Sequence, residues 1–228
     1  MWSYEQFIKF LKDLRGKKIP KNVETLPGQI NLGLIGQIAQ EMSWRQQKTD
    51  HRERGRVIHI GGNFLQRKIL IDNQDTLGSE REVSLSWYQD SLSGLTVIEE
   101  IIIQANNHKR QSIGNIHTHM DFKPFSPQDI IQLLDKDAPI LPKFKILANA
   151  NALFLIIRTS LTPKFSKTAV GLVEKAWDKD LQTRIWTNDR HHDAVQFDAL
   201  AENCRRWNIA LYFTPLKEGS TIVKKITA

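Results

Sequence analysis

The chain has one cysteine, Cys204, in 228 residues. A single thiol excludes an intrachain disulfide framework and every zinc site built on two or more thiolates. Zinc fingers, zinc ribbons and the nucleobase deaminases are thereby removed. Any transition metal must rest on imidazole and carboxylate. No apolar run approaches the roughly 18 residues that a transmembrane helix needs, so no membrane partner is expected. The N-terminal stretch MWSYEQFIKFLKDLRGKK carries charges through its apolar part and lacks a signal-peptide cleavage pattern. With the lone thiol, this points to a cytoplasmic location.

What is present fits a globular protein: 40% hydrophobic and 25% charged residues. The net charge of +7 raises the question of nucleic acid, but residues 1–60 alone hold +5 of it. Arg45, Arg52, Arg54 and Arg56 form the densest basic stretch, joined by Lys17, Lys18 and Lys21. A local excess of this kind reads as a solvated surface, and argues against a nucleic-acid partner.

Periodicity predicts helices over 3–15, 30–44, 95–108, 126–134 and 194–205. Ser3 and Gln6 have the spacing of a capping box. Residues 56–71 read as a hairpin around Gly61-Gly62-Asn63. Further strands are expected at 83–87, 113–119, within 145–158, at 209–213 and at 221–226. The mixture predicts an α/β (α+β) class with a mixed sheet flanked by helices.

The densest chemical signal is Gly114-Asn115-Ile116-His117-Thr118-His119, followed by Ser126-Pro127-Gln128-Asp129. On a strand, residues i and i+2 share a face, so His117 and His119 project side by side. Two imidazoles so placed form half of a metal site; a hydrolytic zinc needs a third protein ligand and leaves one position to water. Ser126 is a good N-cap and Pro127 suits the first helical position, which puts Asp129 in the first turn of a helix. Asp129 is the leading third ligand. Asp121, two residues beyond His119, is its rival. Only 109 residues follow His119, too few to complete a barrel of about 250 residues of the amidohydrolase or PHP phosphoesterase kind.

The stretch 114–129 resembles the JAMM motif of the MPN (JAB/Mov34) metallopeptidase family, which has H-[ST]-H, a spacer and S-x-x-D. His117-Thr118-His119 and Ser126-Pro127-Gln128-Asp129 fill that pattern. The spacer is one residue shorter than usual, and Met120 stands where proline is common. The family also carries an upstream glutamate in an E-x-G-like segment before an early strand. Glu53-Arg54-Gly55, ahead of Val57-Ile58-His59-Ile60, is similar to that segment. Glu41, Glu80 and Glu82 are rivals for this role. The resemblance spans about residues 30–160, leaving 1–29 as an N-terminal helical extension and 161–228 as a C-terminal extension packed on the core.

The resemblance implies an MPN-like fold and a zinc-dependent peptidase or isopeptidase. His117, His119 and Asp129 would hold Zn2+, Glu53 would act as general base, and Ser126 would donate a hydrogen bond to the oxyanion. The implied substrate is an amide or isopeptide bond at the C-terminus of a ubiquitin-like protein, its tail extended as a strand added to a sheet edge would be. Two alternatives accompany it: a non-proteolytic, nucleic-acid-associated domain like the RadC branch of the fold, and a catalytically silent interaction module. Elsewhere, His59 is expected to be packed among apolar neighbours and His191-His192 to lie in a polar loop. Trp177, Trp186 and Trp207 are expected to anchor the C-terminal part.

Overall fold

The computed structural model describes residues 1–14, 19–49, 51–61, 67–72, 74–77, 95–97, 111–120, 122–138, 141–187, 192–216 and 219–227. Helix α1 (Tyr4–Asp13) starts at Ser3, whose hydroxyl accepts from the Gln6 amide while the Gln6 side chain accepts from the Ser3 amide. It buries Phe7, Ile8 and Leu11. Strand β1 (Gln29–Asn31) precedes helix α2 (Gly33–Lys48). The predicted 30–44 helix therefore begins later, because Gln29–Asn31 pair with strand β10 (Ile222–Lys225).

Strands β2 (Arg54–Gly61) and β3 (Lys68–Asp72) form the expected antiparallel hairpin. Strands β4 (Thr76–Leu77) and β5 (Leu95–Val97) follow. Residues 95–97 are extended, and not the start of the predicted 95–108 helix, since they pair with β3. The rest of that helix, and the expected strand at 83–87, lie outside the described residues. Then come β6 (Gln111–Thr118), helix α3 (Pro127–Ile131), β7 (Phe144–Ala148) and β8 (Ala152–Arg158). Helices α4 (Lys167–Thr187) and α5 (His192–Arg206) and strand β9 (Ile209–Pro215) complete the order before β10.

Among the described residues nine strands run in the order β1-β10-β9-β8-β7-β6-β2-β3-β5, and β4 pairs with β2 beside that path. Among the described pairs only β6 and β7 are parallel, so the sheet is mixed and the class is α/β. Parallel neighbours need a crossover, and α3 lies within it. The sheet draws strands from residues 29–31, 54–158 and 209–225 into one layer.

Alternation sorts side chains to two faces. Phe144 and Ile146 of β7, with Ile58, Ile60, Ile116, Leu155 and Tyr212, join α1 and α2 in one core. Leu147, Phe154, Ile156 and Leu211 join α3, α4 and α5 in a second core on the other face. With both faces covered, β2, β7 and β8 are buried along their whole length, so their sequences read as continuous runs and not as alternation. Gly114 is required where β6 meets β7: a Cβ there would stand 2.6 Å from the Phe144 carbonyl oxygen.

Two arginines of the basic stretch, Arg54 and Arg56, turn inward. Arg54 Nη1 and Arg56 Nε lie 3.0 and 2.6 Å from the carboxylate of Asp75, whose side chain is buried. Arg45, at the last turn of α2, reaches the same carboxylate at 3.9 Å. Trp177 and Trp207 are buried and meet edge to face at 5.4 Å. Trp186 departs from expectation: it is 85% exposed on α4. His192 also departs, as the first residue of α5 and not part of a loop; His191 lies outside the described residues. Among the described residues no helix is long and apolar enough to cross a membrane.

Candidate metal centre

The ladder between β2 and β6 builds the first half of the site. Gly55 pairs with His117 across this antiparallel pair, and the Arg54 amide donates to Thr118 Oγ1 at 3.0 Å. Continuing that register brings Glu53 opposite His119. Residues two apart share a face, so Glu53, His117 and His119 project to the same side. The structure places Glu53 Oε1 4.0 Å from His119 Nε2, with Glu53 buried.

Asp129 arrives from the other direction. Helix α3 is five residues long, shorter than the predicted 126–134, but its start is as expected. The Ser126 hydroxyl accepts from the Asp129 amide, while the Ser126 amide and hydroxyl donate to Asp129 Oδ2 at 2.9 and 2.7 Å. The capping box thus aims the carboxylate between the histidines. Asp129 Oδ1 is 3.0 Å from His117 Nε2, and Oδ2 is 3.3 Å from His119 Nε2.

The connecting loop is tied down. The Asn149 side chain donates to the Lys123 carbonyl at 2.9 Å and accepts from the amides of Asn151 and Ala152. This joins the turn between β7 and β8 to the loop after His119. Within that loop, the Pro124 carbonyl lies 2.9 Å from His119 Nδ1. A carbonyl can only accept, so Nδ1 carries the proton. In the neutral ring the lone pair is then on Nε2, which faces Asp129 and Glu53.

His117, His119 and Asp129 are placed to hold a metal ion, one ligand atom from each lying within 4.8 Å of the others. Two observations test the fit. Donors about 2.0–2.1 Å from a tetrahedral ion stand ~3.3 Å apart, close to the observed His–Asp separations. His117 Nε2 is buried and lies 3.0 Å from Asp129 Oδ1 without a well-formed hydrogen bond. An imidazole nitrogen left so is costly unless a cation or proton takes its lone pair.

Electrostatics agree with that reading. Burial lowers the pKa of His117, and Asp129 does not restore it. On His119 burial is again the largest influence, but the Asp129 hydrogen bond and the charges of Asp129 and Glu53 outweigh it and raise the pKa. Burial alone would raise the Asp129 carboxyl; His117, Lys145 and His119 together hold it well below the usual range.

Lys145 is the residue that sequence reasoning missed. It is buried on β7, on the face of Leu147, and its Nζ lies 3.6 Å from Asp129 Oδ1 and 2.6 Å from Gln132 Oε1. Burial lowers its pKa, opposed by Asp129. A lysine flanked by apolar strand residues was the available signal.

Among the other candidates, Glu41 is exposed on α2 and pairs with Arg45. Glu80, Glu82 and Asp121 lie outside the described residues. His59 is buried as expected, but its ring nitrogens meet polar partners, Asp72 at 3.3 Å and Ser112 at 3.0 Å. A cavity of about 350 Å3 opens beside the cluster, lined by Glu53, His119 and Ser126 on one side and by Glu174, Trp177 and Asp178 of α4 on the other. Comparison with protein-family models, curated proteins and solved structures finds no match.

Proposed function

We propose that the chain is a zinc-dependent metallopeptidase that hydrolyses an amide or isopeptide bond, at the C-terminus of a ubiquitin-like protein or of its conjugates. The observation that carries this reading is Glu53. A buried carboxylate 4.0 Å from His119, lining the same cavity as that histidine, is where a general base belongs. His117, His119 and Asp129 would hold the zinc, which supplies Lewis acidity at the site.

The chain's own residues then divide the work. Glu53 takes a proton from the attacking water and returns it to the leaving amine. The Ser126 hydroxyl serves the developing oxyanion. In the structure its proton goes to Asp129 Oδ2, so this role requires the hydroxyl to rotate, with the Ser126 amide keeping hold of the carboxylate. His119 is kept in one tautomer by Pro124. Peptidase chemistry is preferred to a nucleic-acid role because Arg54 and Arg56 direct their charge to Asp75.

The test combines metal analysis with cleavage of ubiquitin-like C-terminal fusions by wild type and Glu53→Gln. One equivalent of zinc in both proteins is expected, with cleavage reduced about 10²–10⁴-fold in the variant. Equal cleavage by both would remove Glu53 from the mechanism. Cleavage by a protein free of metal would sink the proposal.

A further inference from the structure

The cavity beside the metal centre has two unlike walls. One is the loop that carries His119, Pro124, Phe125 and Ser126; the other is α4, with Trp177 and Leu181 forming an apolar floor. Glu174 and Asp178 stand one turn apart on α4 and line the same cavity. Neither has a hydrogen-bond or ion-pair partner among the described residues, whereas Arg184, further along the same helix, is matched by Asp180 and Glu202. Lys123 lies on the opposite wall.

Two carboxylates on a helix would be an ordinary solvated surface. Here half-buried Glu174 and exposed Asp178 line one half-open cavity with Glu53 and His119. With Glu53 counted, the lining holds three carboxylates against one lysine, in a chain of net charge +7. Partial burial raises the Asp178 carboxyl, the mark of a carboxylate lacking a compensating cation.

We infer that this cavity is the substrate cleft and that Glu174 and Asp178 select a peptide segment bearing a basic side chain, its aliphatic stem lying along Trp177 and Leu181. The inference rests on the peptidase reading and names the substrate class for it. Arginine suits such a pair best, because its planar donors can engage both carboxylates while its stem packs on apolar surface. The selecting wall comes from α4, outside the segment that holds the candidate ligands.

The test uses the full, zinc-loaded chain labelled with 15N, titrated with blocked tripeptides carrying Arg, norleucine or Glu at the centre. Binding is read from the indole signal of Trp177, assigned through Trp177→Phe. The Arg peptide is expected to bind about tenfold more tightly than the norleucine peptide. Glu174→Gln with Asp178→Asn should bring the two level, and Glu174→Lys with Asp178→Lys should turn the preference to the Glu peptide. Equal binding of Arg and norleucine to wild type, Arg preference surviving the double neutralisation, or no Trp177 response to any peptide would each overturn the inference. Fusion cleavage is measured on the same preparations. Cleavage without Arg preference overturns this inference alone. Arg preference without cleavage supports the cleft and overturns the peptidase reading.

Discussion

His119 Nδ1 lies 2.9 Å from the carbonyl oxygen of Pro124, five residues further along the chain. That contact sets the proton on Nδ1 and leaves Nε2 for Asp129 and Glu53. It makes the loop after β6 part of the centre, because the loop orients the ring. The centre is therefore strand, loop and helix cap acting together.

Asp129→Asn should weaken zinc binding by more than the ~10–100-fold seen for outer-shell changes, since it removes a charged ligand. Asp121→Asn should leave zinc affinity unchanged. Equilibrium metal competition with a chromogenic chelator measures both. The reverse result would favour an H-x-H-x-D arrangement.

Lys145→Met keeps the buried stem and removes the cation beside Asp129. In the metal-free protein this leaves the Asp129 charge less compensated, a loss of about 3 kcal/mol. In the zinc-loaded protein the ion takes over that compensation, so the loss should be much smaller. Denaturant unfolding with chelator and with zinc checks this. Equal losses in the two states would show that Lys145 does not balance Asp129.

Gly114→Ala should destabilise the fold by about 1–3 kcal/mol, because the added methyl meets the Phe144 carbonyl and ring where β6 packs on β7. A melting temperature within error of wild type would show that the strands part without cost.

Lys143 gives a pH signature that involves none of the candidate ligands. Burial, aided by the nearby Arg158 charge, lowers its pKa from 10.5 to about 8, while its Nζ donates to the Leu14 carbonyl. Between those values the unfolded chain binds the proton and the folded chain does not, so this lysine makes stability rise with pH from about 8 to 10.5. Below about 8 its penalty is fully present. Lys143→Met should flatten the pH profile across that window. A profile of unchanged slope would count against the shift.

The legible part of the site was the part built by short-range geometry. A strand period places His117 with His119, and a helix-start pattern of Ser126, Pro127 and Asp129 recurs in the structure as a capping box. The hairpin 56–71 and helix 194–205 were legible for the same reason, as local periodicity bounded by turn residues. Residues 95–97 and 29–31 were not, because their extended form is set by partners far along the chain. Trp186 shows the opposite limit: its aromatic ring implies burial, yet it falls on the outer side of α4.

By itself the sequence determined the donor chemistry. One cysteine forces a metal onto imidazole and carboxylate, and the spacings bring two histidines and one aspartate within a single strand–loop–helix unit. Tertiary structure decided the rest. The β2–β6 register brought Glu53, among several glutamates, to His119. The parallel β6–β7 pairing brought Lys145 to Asp129, and the Asp75 carboxylate drew Arg54 and Arg56 inward. The packing of α4 beside α3 set an acidic wall across from the candidate ligands. Strand register and helix docking depend on contacts between residues tens of positions apart, which no local period encodes.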